Sequence, residues 1–126
     1  MKFIEMARNG GNDETRARLL YTGLWLPDLF MKRVASGEMW SLFDPDKTYH
    51  NGIKIDLSNY YGEEYERIYL ELEREKKYIS RISARTIFEA SYETNLDRGY
   101  PYLIFGDNVN RQNMQSNIGV IKSSNL

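Results

Sequence analysis

The stretch Leu24–Val34, LWLPDLFMKRV, contains a change from a strand pattern to a helix pattern. The run from Leu19 to Trp25 is too short for a helix and rich in large apolar residues, which is typical of a buried strand. Pro27 suits the first turn of a helix, because it has no N–H to lose there and its φ is preset. Gly37 suits the end of that helix. Apolar residues recur at helical spacing along this stretch, and they predict one buried face: Leu26, Leu29, Phe30 and Val34.

Two more helices are predicted downstream. The first runs from Gly62 to about Tyr78, and its apolar positions form one stripe at the helical period: Tyr65, Ile68, Tyr69, Leu72 and Ile79. The second begins with Ser83 as N-cap and ends at Gly99 and Pro101. Its predicted buried residues are Ala84, Ile87, Phe88 and Tyr92.

The remaining segments carry weaker signals. Tyr102 to Phe105 is a second strand candidate, closed by Gly106 and Asp107. From Asp107 onward asparagine is frequent and apolar periodicity is low, which predicts an irregular polar loop leading into Val120 and Ile121. Residues 47–59 give no interpretable pattern. The order of strands and helices predicts one α/β domain with too few strands to close a sheet by itself.

The polar face of the Gly62 helix is dense in charge. Glu63 with Arg67, and Glu73 with Lys77, stand four residues apart in the favourable order, so we expect exposed ion pairs on a solvated face. An acid/base pair among these glutamates is the alternative, but amphipathic helices usually carry such runs toward water. The aromatic residues, which include 10 Tyr, lie mostly on the apolar stripe or in strand candidates, which favours core packing over a stacking surface.

Composition excludes several classes of function. The chain has 126 residues, 17 basic and 18 acidic side chains, and a formal net charge of -1, so neither nucleic acid nor an anionic membrane is an expected partner. Cys is absent, which excludes disulfides, thiolate metal sites and sulfur chemistry by this chain alone. Without an apolar run of membrane-spanning length or a secretion signal, we predict a soluble cytoplasmic protein.

Familiar catalytic motifs do not occur. The Asn9-Gly10-Gly11 stretch lacks the Lys and Ser or Thr of a phosphate loop and predicts a turn. His50 is the only histidine and has no second His or Cys to complete a zinc site, so no metal site is predicted. Asp44 and Asp46, which flank Pro45, are typical of a turn.

Several blocks, taken in order along the chain, resemble the large subunits of class I ribonucleotide reductases. The longest is Leu24–Val34, preceded by Arg16-Ala17-Arg18. The others are Trp40 to Pro45, Tyr61 to Tyr65, Gly99 to Tyr102 with Asp107 and Asn110, and Ile121 to Leu126. The resemblance covers nearly the whole chain.

The resemblance implies a helix-rich slice of a ten-stranded α/β barrel, with residues 120–126 at the start of an active-site finger loop. It implies a reaction in which a cysteine thiyl radical takes the 3′ hydrogen of a ribonucleotide, the 2′ hydroxyl leaves as water, and a separate cysteine pair supplies electrons. By match, Asn125 is the residue that binds and orients the ribose hydroxyls. The carboxamide suits this role because it both donates and accepts hydrogen bonds without a change of charge.

In the family, the radical cysteine and a glutamate base would follow directly after Leu126. We therefore expect a segment inactive alone, either from a split gene of the kind found in phages or from a site interrupted by an intein or intron. The implied partners are the remaining large-subunit pieces, a small subunit that supplies a metal-dependent radical, and the ribonucleotide substrate; nucleotide effectors would bind elsewhere, and this chain itself would hold no cofactor. The alternative is a non-enzymatic interaction or regulatory module derived from the same segment.

Overall fold

The computed structural model describes Ile4 and residues 21–124. These residues form a mixture of helices and short strands, in agreement with the predicted α/β class. The predicted turn at Asn9–Gly11, the Arg16–Arg18 block and Asn125 lie outside the described residues. No helix among the described residues is long and apolar enough to cross a membrane.

The predicted helix is confirmed, and the strand predicted over Leu19–Trp25 is confirmed only in its last part, since residues 21 and 22 are irregular and residues 19 and 20 lie outside the described part of the chain. Strand β1 is Gly23–Leu26 and helix α1 is Asp28–Ser36. Pro27 lies at the N-cap rather than inside the first turn, and its carbonyl accepts from the N–H of Phe30 at 3.0 Å. Gly37 ends the helix in the left-handed conformation at φ 76°, where a residue without Cβ meets no steric penalty.

The described strands form one parallel pair and two antiparallel pairs. Strand β2, Met39–Leu42, pairs antiparallel with β5, Ser80–Ser83. The sequence analysis had not predicted a strand at β5. Residues 47–59 contain a small hairpin of β3, Tyr49–His50, and β4, Ile53–Lys54, followed by a 3-10 turn at Leu57–Asn59. The predicted strand at Tyr102–Phe105 is confirmed as β6, which runs parallel to β1.

Helix α2 is Gly62–Arg74, so it ends four residues before the predicted end at Tyr78. Lys76 adopts a left-handed φ of 55°, and the N–H of Lys77 bonds to the carbonyl of Leu72 at 3.0 Å, which is a Schellman ending. Ile79, predicted on the apolar stripe, is therefore outside the helix and 68% exposed. The inner part of the stripe is confirmed, since Ile68, Tyr69 and Leu72 are buried.

Helix α3 is Ala84–Arg98, and its predicted caps are confirmed. The Ser83 hydroxyl accepts from the N–H of Thr86, and Gly99 closes the other end in the left-handed conformation. Tyr92 was predicted to be buried but is 48% exposed. The buried side of the helix instead carries Ser91 and Thr94, whose hydroxyls bond to helix carbonyls four residues earlier and so enter the core without an unpaired donor.

The prediction of an irregular chain from Asp107 onward is wrong for its first part. Residues Gly106–Arg111 form a short helix, α4, directly after β6. Low apolar content hid this helix, because its buried side chains, Asp107 and Asn110, are polar. Beyond α4 the chain has no regular structure up to residue 124.

Within the described part of the chain, two clusters of buried apolar side chains can be distinguished. In one, Leu26 and Phe30 meet Ala84 at the start of α3, so α1 and α3 pack together over β1. In the other, Ile68 and Leu72 of α2 cover Ile55 after the hairpin. Among the described residues the strands form only two-stranded sheets, and no closed barrel is present.

Candidate functional site

A cavity of about 230 Å³ lies beside the carboxyl ends of the parallel strands β1 and β6. Trp25 and Pro27 come from the end of β1, and Gly106 and Asp107 follow β6. The chain segment Val120–Lys122 forms another wall. The carboxyl ends of parallel strands are where α/β proteins commonly bind ligands, so this cavity is the candidate site.

The wall between the strands and α2 is aromatic. Tyr60, Tyr61 and Tyr65 line it together with Trp25. Burial raises the pKa of the Tyr65 phenol, so this group is neutral at physiological pH. Gly106 makes the close packing possible, because a Cβ there would lie 2.8 Å from Cε3 of Trp25.

The buried carboxylate of Asp107 joins two helix N-termini at the base of this cavity. Its Oδ2 accepts from the backbone N–H of Asp28 at 2.7 Å, and its Oδ1 accepts from the N–H of Gly62 at 2.9 Å. Asp28 and Gly62 are the first residues of α1 and α2, whose N–H groups and dipoles favour a negative charge. Asp107 therefore fixes α4 against both helices.

Asn110, one turn after Asp107, binds the backbone of Ile121 twice. Its Oδ1 accepts from the Ile121 N–H at 2.8 Å, and its Nδ2 donates to the Ile121 carbonyl at 3.0 Å. The same Nδ2 also donates to the carbonyl of Gly106 at 3.0 Å. Asn110 is only 4% exposed, whereas Ile121 is 37% exposed, so a buried side chain holds a segment at the surface.

Lys122 marks the outer rim of the cavity. Its ammonium donates to the amide oxygen of Asn59 and lies 3.8 Å from Oδ2 of Asp56. Hydrogen bonds from the side chain and the backbone N–H of Ser58 hold the pKa of Asp56 below its ordinary value. The rim therefore carries one cation beside an ionised carboxylate, and both are accessible to solvent.

A second polar cluster lies away from the cavity, between α1, α2 and β2. The guanidinium of Arg33 contacts both carboxylate oxygens of Glu73, at 2.7 and 2.5 Å, and donates to the carbonyl of Met39. The Ser41 hydroxyl donates to Glu73 at 2.5 Å. The Tyr69 hydroxyl accepts from the N–H of Ser41 and donates to its carbonyl. The charges of this cluster are paired and hydrogen-bonded, which is the pattern of a structural ion pair.

The ionisation of this cluster follows from its contacts. Burial acts to raise the pKa of Glu73, but the hydrogen bonds from Arg33 and Ser41, together with the positive charges of Arg33 and Arg81, outweigh it and hold that pKa below the ordinary value. The bond to Glu73 raises the pKa of Arg33. Burial raises the pKa of Tyr69 to about 12. At neutral pH the cluster is therefore an ionised pair beside a neutral phenol.

The structure corrects the predicted surface ion pairs of α2. Glu73 was expected to face water and pair with Lys77, but its side chain is 14% exposed and pairs with Arg33. Arg67 pairs with Glu71 at 3.1 Å instead of the predicted Glu63. The Glu73 prediction fails because the early end of the helix removes Lys77 from its fourth-residue position and because α1 approaches from another part of the chain.

The other sequence candidates have ordinary surroundings. The His50 ring nitrogens lie 2.9 Å from Glu75 and 3.5 Å from Glu71. Within the described ranges no group of histidine and carboxylate side chains is arranged to hold a metal ion. The turn at Asp44 is confirmed by a bond from the Lys47 N–H to the Asp44 carbonyl. The role predicted for Asn125 stays a prediction, since that residue lies outside the described part of the chain.

Sequence reasoning missed the roles of Asp107 and Asn110, although both belong to the blocks that resemble the reductase family. One signal was available: a carboxylate and an amide three residues apart, directly after a predicted strand, would fall on the same side of a helix turn. Their backbone partners could not be inferred, because those partners lie up to 79 positions away in sequence.

Comparison with known proteins identifies the family. The sequence model described as "Ribonucleotide reductase, barrel domain" matches residues 1–126. The chain is 43% identical to the ribonucleoside-diphosphate reductase large subunit of Variola virus over 126 residues, which are 100% of this chain and 16% of that protein. It is 40% identical to the ribonucleoside-diphosphate reductase subunit alpha of Helicobacter pylori, strain J99, covering 100% of this chain and 15% of that protein.

A plant relative gives the same result. The ribonucleoside-diphosphate reductase large subunit of Arabidopsis thaliana is 40% identical over 99% of this chain and 15% of its own length. The chain thus spans about a sixth of the length of the relatives that it matches. Because the match extends over every residue, the chain belongs to the ribonucleotide reductase barrel-domain family.

Proposed function

We propose that this chain supplies part of the catalytic barrel of a cytoplasmic ribonucleoside-diphosphate reductase large subunit, and so serves deoxyribonucleotide synthesis. The observation that carries the proposal is the family match over residues 1–126. The geometry supports it, because the segment leading to Asn125 is held beside a cavity at the carboxyl ends of two parallel strands. In an α/β barrel this edge is where catalytic residues are presented.

In this proposal the barrel has ten strands, and most come from the rest of the large subunit. Strands β1 and β6 pair only with each other among the described residues, so their outer backbone groups are available to further strands. Unpaired N–H and C=O groups cost about 1–3 kcal/mol each when buried. Association with the other large-subunit parts is therefore expected to stabilise this segment.

The chemistry assigned to the assembled enzyme is a radical reduction. A cysteine sulfur radical takes the 3′ hydrogen of the ribonucleotide, the 2′ hydroxyl leaves as water, and a cysteine pair supplies the two electrons. This chain contains no Cys, so every thiol in the scheme comes from other parts of the assembly. A small subunit supplies the initiating radical by metal-dependent chemistry, and nucleotide effectors bind elsewhere.

Asn125 is the residue of this chain that we assign to the substrate. Its carboxamide would donate to one ribose hydroxyl and accept from the other, which orients the carbons that react. Because the amide stays neutral throughout, it would stabilise developing charge on the sugar without a proton transfer of its own.

The test is reconstitution of the complete large subunit with its small subunit, followed by an assay of ribonucleoside diphosphate reduction. We expect Asn125→Ala to lower kcat by roughly 10²–10³-fold, the cost of removing one positioned hydrogen-bonding group. Asn117→Ala is the matched control, since Asn117 is an exposed asparagine of the same irregular segment and should leave the rate unchanged.

Two results would contradict the proposal. One is a complete assembly, with both subunits folded and associated, that does not reduce ribonucleotides. The other is an Asn125→Ala variant as active as the control. If the chain is a stable protein that does not associate with the other large-subunit parts and binds an unrelated partner, the alternative of a non-enzymatic interaction module is favoured instead.

A further inference from the structure

We propose that Asn110 is a positioning residue, which fixes Ile121 and thereby sets the course of the chain that leads to Asn125. This inference rests on the proposed function and assigns that site a second residue. Asn110 itself does not contact substrate in this scheme. It acts through the backbone, by holding the start of the loop in one register.

The contact between Asn110 and Ile121 has the form of a strand pairing. One side-chain amide bonds to both the N–H and the C=O of the same residue, at 2.8 and 3.0 Å. A pair of bonds to one residue fixes its orientation as well as its position, which a single bond does not. The Asn110 amide is buried, although Ile121 itself is 37% exposed, so the amide side of both bonds is enclosed by protein.

The amide is held by a rigid support. Its Nδ2 also bonds to Gly106, which opens α4. On the same short helix, Asp107 is bonded to the first residues of α1 and α2. Ile121 is therefore connected, through α4, to two helices that are packed in the core rather than to a surface loop.

Other contacts of the segment are weaker restraints. Asn113 donates to the Gly119 carbonyl and Lys122 donates to Asn59, but both bonds are exposed to solvent. Asn110, in contrast, binds the segment from a buried position. Asn125 follows Ile121 by only four residues in the sequence. A displacement of the backbone at Ile121 would therefore be passed along the chain toward Asn125.

The residue type fits the role closely. Asp has the same shape, but it has no N–H to donate and would place a carboxylate oxygen against the carbonyls of Ile121 and Gly106. Leu would leave the Ile121 N–H and C=O without these partners. A carboxamide supplies both the donor and the acceptor at this distance from the helix.

The test compares Asn110→Asp with wild type in the complete large subunit assembled with its small subunit. A loss of positioning predicts that kcat falls roughly 10- to 100-fold. KM for the ribonucleoside diphosphate should change by less than about threefold, because the defect lies in alignment rather than in uniform binding. Hydrogen exchange at the Ile121 amide should become faster, while amides in the middle of α2 keep their protection.

Two further variants guard against a purely structural effect. Asn95→Asp is the matched control. The Asn95 amide donates to the Pro101 carbonyl at a distance of 3.0 Å, and neither residue belongs to the segment that contains Ile121. In this variant kcat should stay at the wild-type value. Ile121→Pro removes the backbone N–H that donates to Oδ1 of Asn110, while the Asn110 side chain is unchanged. It should reproduce the kcat defect, and the double variant should be no worse than the more damaged single variant.

The inference is overturned if Asn110→Asp and Ile121→Pro both keep wild-type kcat, or if exchange at Ile121 is unchanged. It is also overturned if kcat of Asn110→Asp falls only in proportion to the unfolded fraction of that variant. An equal fall of kcat in the control Asn95→Asp would overturn it as well. Failure of the proposed function gives a different result, because the wild-type assembly itself would then not reduce ribonucleotides.

Discussion

Two carboxylates with little exposure, the half-buried Glu73 and the buried Asp107, have their charges balanced in different ways. Glu73 lies against a cation, the guanidinium of Arg33, with an added hydrogen bond from Ser41. The oxygens of Asp107 accept instead from the backbone N–H groups that begin α1 and α2. One charge is balanced by a side chain and the other by main-chain dipoles.

This difference separates a structural cluster from the support of the candidate site. The ion pair of Arg33 with Glu73 is formed by two side chains. Apolar side chains of similar volume could therefore replace both of them. The partners of Asp107 are peptide groups, which most substitutions leave in place. We therefore expect the two carboxylates to respond differently when one partner, or both, is changed.

The largest effect on stability is expected for Arg33→Met. It leaves the half-buried Glu73 without its hydrogen-bonded cation, and only Arg81 remains, 3.9 Å away. The free energy of unfolding should therefore fall by about 3 kcal/mol, the lower end of the cost for breaking a buried pair. Urea unfolding followed by circular dichroism measures it. Arg67→Met is the matched control, because the exposed pair with Glu71 should contribute less than about 1 kcal/mol. Equal losses in the two variants would mean that the Glu73 pair behaves as a surface pair.

Asp107→Asn should have the next largest effect. The amide keeps one acceptor oxygen but turns an NH2 group toward the second helix N-terminus, so one charge-assisted hydrogen bond is lost at a cost of about 2 kcal/mol. The same urea experiment measures it. Asp28→Asn is the control, since its exposed pair with Arg111 should contribute less than about 1 kcal/mol. A loss larger than that of Arg33→Met would reverse the expected order of the two carboxylates.

The double variant Arg33→Met with Glu73→Leu should recover most of the stability lost in the single variant. With both charges gone, no ion of this pair remains buried, and we expect a free energy of unfolding within about 1 kcal/mol of wild type. Unfolding of the two single variants and the double variant completes the cycle. If the double variant is as unstable as Arg33→Met, the cost comes from packing around the long side chains rather than from charge.

The smallest effect concerns pH. The pKa of Glu73 is lower in the folded protein than the ordinary 4.5, so the unfolded chain binds more protons in acid. The stability from this carboxylate is therefore present above 4.5 and is lost as the pH falls through the lower folded value. Measured from about pH 6 to about pH 3, Glu73→Gln should show a shallower acid decline than wild type.

Glu64→Gln is the control for the pH experiment. Glu64 is an exposed carboxyl on the same helix, and the substitution should keep the wild-type decline. A decline equally steep in Glu73→Gln and wild type would show that Glu73 does not contribute to acid sensitivity.

Local pattern is a good guide wherever burial of apolar groups decides the structure. Spacing and turn residues predict the strand and helix at Leu24–Val34, the inner stripe of α2 and the strand Tyr102–Phe105. Pattern fails where a polar residue is buried: it predicts a loop at α4, and Ser91 and Thr94 occupy the inner side of α3 in place of Tyr92. Polar residues enter the core only when partners are available, and pattern does not show partners.

At the candidate site, too, the sequence pattern does not show which polar groups are in contact. The blocks of resemblance contain Asp107, Asn110 and the segment from Ile121 onward, but the sequence did not show their contacts, and the role of Asn125 stays a prediction. The predicted surface pair of Glu73 with Lys77 was wrong, because the Schellman ending at Lys76 and the approach of Arg33 changed its neighbours.

By itself the sequence determined the α/β character, the main helices with their caps, and the family to which the chain belongs. Only the tertiary structure decided which polar groups meet: Arg33 with Glu73, Asp107 with two helix N-termini, and Asn110 with Ile121. The physical reason is range. Periodicity and capping act within a few residues, whereas a buried charge or amide is satisfied by whatever groups the fold brings within about 3 Å, and Asp28 and Asp107 stand 79 positions apart.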